Sequence, residues 1–247
     1  MESIVSAPVR PLVPVPRSGA MAMVRGLLVL CGAAILATAF LLDPVAAVTV
    51  AEPAGTFLRA IAGRLSSALD WPWVLGFAGV VAIVAHLAGN PQMRRTWTAV
   101  LVAGAIIGIT ATAVRSVTGR TRPGALVEQG WHGLRHEGRW LFGAHAYNAF
   151  PSGHTATIAG MAALLLRRRH RLAPLAVALT MLVAWSRMAV GAHRLSDVIA
   201  LMLLAAVLIR PLETFLPDTF SRSSGSEDAA SASTDLDRRA PLAVGSA

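Results

Sequence analysis

The chain has 247 residues, of which 55% are hydrophobic and 14% are charged, and its formal net charge is +9. Because globular domains carry about 25% charged residues, this composition excludes an ordinary soluble domain and is typical of a membrane protein. Much of the positive charge lies in short gaps between apolar blocks, which argues against a nucleic-acid-binding surface. The single cysteine, Cys31, excludes an intrachain disulfide.

The N-terminal region combines a proline-rich segment with a long apolar block. Residues 1–22 lack helical periodicity and are predicted to form a flexible tail. Residues 23–42 are long enough to cross a bilayer at about 1.5 Å per residue. A cleavable signal peptide is the alternative, because the small residues of "PVAAVTVAEPA" follow. The block exceeds the usual signal core of about 7–15 residues, so a retained helix is favoured.

The rest of the chain predicts a helical bundle in the membrane. Residues 52–70 place their apolar side chains on one helical face, which predicts an amphipathic helix on the membrane surface. Five further apolar blocks follow, at about 71–88, 97–114, 151–166, 172–190 and 194–210. Tryptophans near block ends are typical of an interfacial belt. We therefore predict an all-α integral membrane protein with about six transmembrane helices over residues 23–216, and a disordered C-terminal tail over residues 217–247.

Three polar patches interrupt the apolar blocks, and helix parity predicts that they share one side of the membrane. They are "RSVTGRTRP" at 115–123, "PSGH" at 151–154 and "SRMAVGAHRLSD" at 186–197. Consecutive spanning helices alternate in direction, so the end of the third helix, the start of the fourth and the turn between the fifth and sixth face the same compartment. Unrelated polar residues in the loops would not be expected to lie all on one side of the membrane.

The first two patches have the features of an anion site. Arg115 and Arg122 are seven residues apart, which on a continued helix places them on one face; the alternative is two arginines that reach lipid headgroups. Ser152 is a candidate N-cap, Gly153 allows a ligand close to the backbone, and the first-turn N–H groups can bind an anion that His154 would face. A capped helix with an interfacial histidine is the simpler alternative.

The third patch predicts an activated histidine. Arg187 ends one helix, His193 opens the next, and Asp197 follows four residues later on the same face. A carboxylate there can accept the Nδ1–H of His193 and leave Nε2 with a lone pair for attack. Alone, this pair could be a surface interaction worth about a few tenths of a kcal/mol.

Together these residues resemble the type 2 phosphatidic acid phosphatase superfamily, which includes membrane lipid phosphatases and vanadium haloperoxidases. Its signature is Lys-x6-Arg-Pro, Pro-Ser-Gly-His and Ser-Arg-x5-His-x3-Asp. The present chain matches all three parts in order, over a core of about residues 97–210, with Arg115 in place of the usual lysine. Since the chain contains no lysine, this difference indicates conservation of charge. Arginine and lysine differ in geometry, however.

The resemblance implies hydrolysis of a lipid phosphate through a phosphohistidine, with no metal or other cofactor. His193 would attack phosphorus, Asp197 would orient it, and His154 would protonate the leaving oxygen. The same resemblance assigns phosphate binding to five residues: Arg115, Arg122, Ser152, Gly153 and Arg187. The implied substrate is a polyprenyl diphosphate, phosphatidic acid or phosphatidylglycerol phosphate, and the oligomeric state stays open.

Three further expectations concern the surroundings of the site. The five histidines outside the motifs are assigned structural or loop roles, and the 124–150 loop is expected to cap the site. The arginine-bearing connections "NPQMRRT" and "RRRHR" place both chain ends in the cytoplasm and the site outside. The alternative functions are a non-catalytic protein that binds lipid headgroups and a vanadate-dependent haloperoxidase.

Overall fold

The computed structural model describes residues 18–51 and 55–216. The predicted C-terminal tail and the first seventeen residues of the predicted N-terminal tail lie outside the described residues. Residues 18–22, which the sequence assigned to that tail, belong to the first helix.

Seven α-helices account for most of the described structure. Their bounds are α1 Ser18–Ala46, α2 Thr56–Ala68, α3 Trp71–Leu87, α4 Pro91–Thr118, α5 Gly153–Arg167, α6 Ala173–Ala189 and α7 Leu195–Glu213. A π-helical turn, Ala47–Ala51, extends α1. The α4–α5 connection contains a two-stranded antiparallel hairpin, β1 Arg135–His136 and β2 Arg139–Trp140.

Helix length and hydropathy confirm an integral membrane bundle, while the number of spans is approximate. Among the described residues, segment Met21–Val50, α4 and α7 are each long and apolar enough to cross a bilayer. Helices α2 and α3 meet at a bend of 44° and pass the same test as a pair. The two remaining helices are shorter, with 15 residues in α5 and 17 in α6.

Small residues allow the central helices α4 and α5 to approach closely. Gly104 and Gly108 are four residues apart on α4, and a Cβ at Gly104 would lie 2.9 Å from the Met161 side chain of α5. On the α5 side, a Cβ at Gly160 would lie 2.9 Å from the Ala103 carbonyl oxygen. Such small-residue contacts are typical of helices packed in membranes, where side-chain bulk sets the interhelical distance. This pairing brings the end of α4 against the start of α5.

Helix α2 forms as the sequence predicted, but it packs inside the bundle on one side. Ala62 and Ser66 are buried, and α2 contacts α6. The predicted orientation of α2 on the membrane surface stays a prediction. Its buried side reaches the polar end of α6, where the third motif lies.

Candidate active site

The three motifs converge at one end of the bundle. The charges of Arg115 and Arg187 act on Arg122, and those of Arg187 and Arg122 act on His193. His154 lies within range of Arg187, Arg115 and His193 as well. The predicted arginines and histidines therefore form one cluster drawn from α4, α5, α6, the α4–α5 connection and the α6–α7 turn.

His193 is buried in this cluster and presents one free ring nitrogen. Its side chain is fully enclosed, and Nδ1 lies 2.8 Å from the carbonyl oxygen of Ala149. Because a carbonyl oxygen only accepts hydrogen bonds, Nδ1 carries the hydrogen. Nε2 is then the nitrogen with the lone pair, and it has no hydrogen-bond partner. This is the tautomer that a nucleophilic histidine needs.

The structure differs from the predicted hydrogen bond between His193 and Asp197, and the orienting role of Asp197 stays a prediction. Asp197 Oδ2 lies 3.6 Å from His193 Nδ1, which is longer than the 2.8 Å to the Ala149 carbonyl. The same Oδ2 accepts a 2.7 Å hydrogen bond from the Arg194 backbone N–H, as part of a capping box at the start of α7. Asp197 thus supplies a nearby negative charge, while the main chain supplies the direct hydrogen bond.

Two residues that the sequence analysis missed, Arg120 and Asp43, form a buried network with Asp197. Arg120 Nη1 donates to both Asp197 Oδ1 and Ser196 Oγ, and Arg120 Nη2 donates to Asp43 Oδ2 at 2.8 Å. Asp43 Oδ1 also accepts from the Ser196 backbone N–H at 2.8 Å. The guanidinium of Arg120 is 4.8 Å from the Trp131 ring centroid. The signal for Asp43 was available, because it is the one acidic residue of α1 and ionisable residues in membrane helices are usually functional.

Burial controls the protonation of His193. Desolvation lowers the pKa of His193 to about 4, the nearby carboxylate of Asp197 opposes that shift, and the charges of Arg187 and Arg122 add to it. The imidazole is therefore neutral at physiological pH, as nucleophilic attack requires.

This pKa predicts how stability depends on pH. The unfolded chain, with a histidine pKa of 6.5, binds a proton that the folded chain excludes down to about pH 4. Stability should therefore fall as the pH is lowered from about 6.5 toward 4, by up to about 3 kcal/mol from this group. Melting temperatures in detergent at pH 7 and pH 5 measure the effect. A His193→Asn variant should show a smaller drop, and an equal drop would contradict the assignment.

His154 occupies the first turn of α5 and is oriented by a residue from outside the motifs. Its Nε2 lies 3.1 Å from Oδ1 of Asp70, at the start of α3. Its Nδ1 is buried and has no hydrogen-bond partner. The two motif histidines thus leave opposite ring nitrogens free.

The second motif differs from the prediction at Ser152. Ser152 stands at the N-cap position of α5, yet its Oγ pairs with Thr155 Oγ1 at 3.0 Å and caps no backbone N–H. Its own N–H donates to the Asp197 carbonyl oxygen at 3.2 Å, so it is engaged within the protein. The first-turn N–H groups that follow have no acceptor within the helix, so these are the groups available to an anion. Ser152 instead connects α5 to α7.

Gly153 is required because Arg115 lies directly against it. A Cβ at residue 153 would lie 2.9 Å from Cζ of Arg115 and closer still to Nη1. A Gly153→Ala variant should fold, since the end of a flexible side chain can move, and it should lose about tenfold or more in kcat/KM because the guanidinium is displaced. Phosphate release from the purified variant measures this effect. Gly160→Ala is the contrasting variant: it meets the Ala103 backbone and should lower stability instead.

Arg122 reaches the site by a route that differs from the predicted helical continuation. Helix α4 ends at Thr118, and Gly119 adopts a left-handed conformation with φ of 62°. Arg122 therefore lies in the loop, where its Nε and Nη2 both donate to Asn148 Oδ1, at 3.1 and 2.9 Å. Burial, and then the charges of Arg187 and Arg115, lower the pKa of Arg122 to about 10. Three cations in a partly dry site favour a bound anion.

Arg187 is held from the α2 side. Its Nη1 donates to Ser66 Oγ at 2.6 Å, whereas its Nε is buried without a partner. Among the described residues, the buried side-chain nitrogens and oxygens that lack a partner are three: His154 Nδ1, Arg187 Nε and His193 Nε2. All belong to predicted site residues. Buried polar atoms are normally satisfied, so three unsatisfied ones in a single cluster indicate a ligand site.

The long loop contributes main-chain and side-chain contacts to this site. Ala149 and Asn148 hold His193 and Arg122, and the Ala149 N–H donates to the Arg120 carbonyl at 3.0 Å. Among the described histidines outside the motifs, His145 is the one on which all three arginines act, and the charge of Arg122 is the main reason that its pKa is lowered. The sequence predicted a structural or loop role for His145, and the structure adds that it lies beside the arginines of the site.

Comparison with known proteins identifies the family. A family model described as the PAP2 superfamily matches residues 96–219, just over half of the chain. The chain belongs to this superfamily. The matched part of this PAP2 protein contains α5, α6, α7, most of α4 and every residue of the three motifs. Asp43, Ser66 and Asp70 contact the site from helices that precede it.

Solved structures similar to this PAP2 protein include two enzymes. LpxE of Aquifex aeolicus has 15% sequence identity and a TM-score of 0.49, and the similarity covers 70% of this chain and 95% of that chain. A transmembrane PAP2 type phosphatidylglycerolphosphate phosphatase of Bacillus subtilis has 17% identity and a TM-score of 0.35, over 73% of this chain and 94% of that chain. No curated protein matches the chain.

Proposed function

We propose that the protein is a membrane-embedded phosphatase that hydrolyses a lipid phosphate or diphosphate through a phosphohistidine intermediate. The observation that carries this proposal is the group of unsatisfied buried atoms: a ring nitrogen on each of two histidines and a guanidinium nitrogen on Arg187. A nucleophile, a proton donor and a cation are the three groups that phosphoryl transfer from a monoester needs.

In the first step, the lone pair of His193 Nε2 attacks phosphorus. A nitrogen–phosphorus bond forms and the bond from phosphorus to the lipid oxygen breaks. His154, protonated on both ring nitrogens once the substrate phosphate is bound, gives the Nδ1 proton to that oxygen and becomes neutral. Arg115, Arg122 and Arg187, with the first-turn N–H groups of α5, neutralise the phosphoryl oxygens. Because arginines supply the positive charge, the reaction needs no metal or cofactor.

In the second step, water replaces the histidine on phosphorus. Neutral His154 accepts a proton from the water as its oxygen attacks, the nitrogen–phosphorus bond breaks, and inorganic phosphate leaves. The Ala149 carbonyl keeps the hydrogen on Nδ1 of His193 throughout, so the same nitrogen receives and releases the phosphoryl group.

An apolar cleft beside the site supports a lipid substrate. The cleft has a volume of about 630 Å³ and runs between α3 and α4 to the start of α5, where Arg115 and His154 line its polar end. The apolar part of its lining includes Trp71, Leu75, Ile109, Val117 and Phe142. Ligand pockets that combine an apolar body with a few polar groups position a ligand by its polar end. We infer that the cleft accepts a lipid chain while the arginines hold its phosphate.

Phosphate release from detergent-solubilised lipids tests the proposal. The panel contains phosphatidic acid, phosphatidylglycerol phosphate and a polyprenyl diphosphate, with glycerol 3-phosphate as the headgroup without a chain. We expect release from at least one lipid, inhibition by vanadate and much slower release from glycerol 3-phosphate. Binding without release would favour the headgroup-binding alternative. Halide oxidation by peroxide in the presence of vanadate would favour the haloperoxidase.

The site is proposed to face outside the cell. The opposite end of the bundle carries Arg94 and Arg95 near the start of α4 and Arg167 to Arg169 at the end of α5, as expected for a cytoplasmic face. In a Cys31→Ala background, a cysteine at the fully exposed Leu126 should react with an impermeant maleimide on intact cells. A cysteine at Arg171, on the opposite face, should react only after lysis, and the reverse pattern would invert the topology.

Retention of the first helix follows from the same proposal. Asp43 lies on α1, before the small residues that a signal peptidase could cut, and it bonds Arg120 and Ser196 beside the site. Cleavage after α1 would remove this carboxylate and leave part of a buried charge network unpaired, which is strongly destabilising. We therefore expect the mature protein to keep α1.

A further inference from the structure

Asp70 contacts the candidate general acid, His154, which lines the lipid cleft together with Trp71. It is the N-cap of α3, at the bend between α2 and α3, and its Oδ1 accepts a 2.7 Å hydrogen bond from the Trp71 N–H. The same Oδ1 lies 3.1 Å from His154 Nε2, and the two side chains are 31% and 25% exposed. Asp70 lies outside the part of the chain that matches the PAP2 family and outside the three motifs.

The contact determines which nitrogen of His154 handles the catalytic proton. An ionised carboxylate only accepts hydrogen bonds, so Nε2 of His154 must carry a hydrogen toward Asp70. The remaining nitrogen, Nδ1, is buried without a partner. Any proton that His154 gives to a substrate oxygen therefore comes from Nδ1, while the Nε2–H stays with Asp70.

The charge of Asp70 also offsets the cations around His154. The groups whose charges act on His154 are Arg187 on α6, His193 before α7, Arg115 on α4 and Asp70 on α3. Asp70 is the one acidic member of this set. A general acid must hold its proton until the leaving oxygen takes it, whereas burial, and then the two guanidiniums, disfavour a protonated ring. The carboxylate of Asp70 opposes these effects.

We propose that Asp70 is a positioning residue for the general acid, which holds the Nε2–H of His154 so that Nδ1 delivers the proton to the leaving alcohol. The inference rests on the proposed phosphatase function. It makes the α2–α3 bend part of the active site, since the residue that caps α3 also orients the acid. The simpler role for Asp70 is to cap α3 alone.

The two roles differ in how they depend on the leaving group. Asp70→Asn keeps the cap, because an amide oxygen can also accept from the Trp71 N–H, and it removes the charge. Single-turnover release is measured with the full-length variant in excess over two substrates: phosphatidic acid, whose alcohol needs a proton to leave, and a nitrophenyl phosphate with an alkyl chain, whose phenolate does not. For Asp70→Asn we expect diacylglycerol to be released from phosphatidic acid about 10²-fold more slowly than by the wild type. Nitrophenolate should be released less than about threefold more slowly.

The matched control is Asn90→Ala, which removes the N-cap of α4 at the other end of the bundle, where Asn90 Oδ1 accepts from the Met93 N–H at 2.9 Å. This variant should cleave both substrates at the rates of the wild type. Equal slowing of the two substrates by Asp70→Asn, or no slowing of either, would overturn the inference and leave the phosphatase function standing. Failure of the wild type to cleave either substrate would instead overturn the proposed function, and the inference with it.

Discussion

A His193→Ala variant is expected to lose about 10⁴-fold or more in kcat, because it removes the proposed nucleophile. The structural basis is specific: Nε2 is the free nitrogen, and Nδ1–H is held by the Ala149 carbonyl at 2.8 Å. Phosphate release from the most active lipid of the panel measures the loss. Rapid acid-free quenching with ³²P-labelled substrate should trap an alkali-stable, acid-labile phosphoenzyme in the wild type and none in the variant.

Because His193 is buried, a second variant separates chemistry from folding. His193→Asn keeps a side-chain amide that can donate to the Ala149 carbonyl, and it should be as inactive as His193→Ala while staying closer to the wild type in melting temperature. His86→Ala is the matched control, since His86 is an exposed histidine near the end of α3. Normal turnover by His193→Asn would rule out the phosphohistidine mechanism.

An Arg122→Gln variant is expected to lose about 10²–10³-fold in kcat/KM, the usual effect of removing one donor that stabilises charge in a transition state. Arg122 is 6% exposed and is held by two hydrogen bonds to Asn148, so its guanidinium is preorganised. Glutamine removes the charge and keeps an amide that can still reach Asn148. The loss should be similar for every lipid that the enzyme cleaves, because Arg122 is proposed to contact the phosphate.

Stabilisation of the protein by vanadate gives an independent test of the role of Arg122. Arg115, Arg122 and Arg187 repel one another in the empty site, so vanadate should raise the melting temperature of the wild type. Arg122→Gln should reduce that rise, and without vanadate it should be no less stable than the wild type, because it relieves the repulsion. Arg139→Gln, on the exposed strand β2, is the control for a lost positive charge in the same loop. If vanadate raised the melting temperature of Arg122→Gln as much as that of the wild type, Arg122 would not be a phosphate-binding residue.

Local spacing explains why the motif residues could be predicted. Hydrophobic blocks define the helices, helix parity places the three patches on one side, and short spacings such as His193 to Asp197 are nearly independent of the rest of the fold. The same reasoning was wrong for Arg122, where the left-handed Gly119 ends α4 and the loop carries the guanidinium to the site. The phosphate-binding role of Ser152 stays a prediction, and in the structure its N–H donates to the Asp197 carbonyl oxygen.

The sequence by itself therefore determined the membrane bundle, the family resemblance and the chemical identity of the cluster, because each depends on residue type and on short-range spacing. Only the tertiary structure decided which groups hold that cluster in place. These groups are the Ala149 carbonyl, Asp70, Asp43 and Ser66. Each contacts a residue that lies between 44 and 153 positions away in the chain. Main-chain carbonyls have no sequence signature, and contacts at such separations depend on helix packing, which residue spacing does not encode.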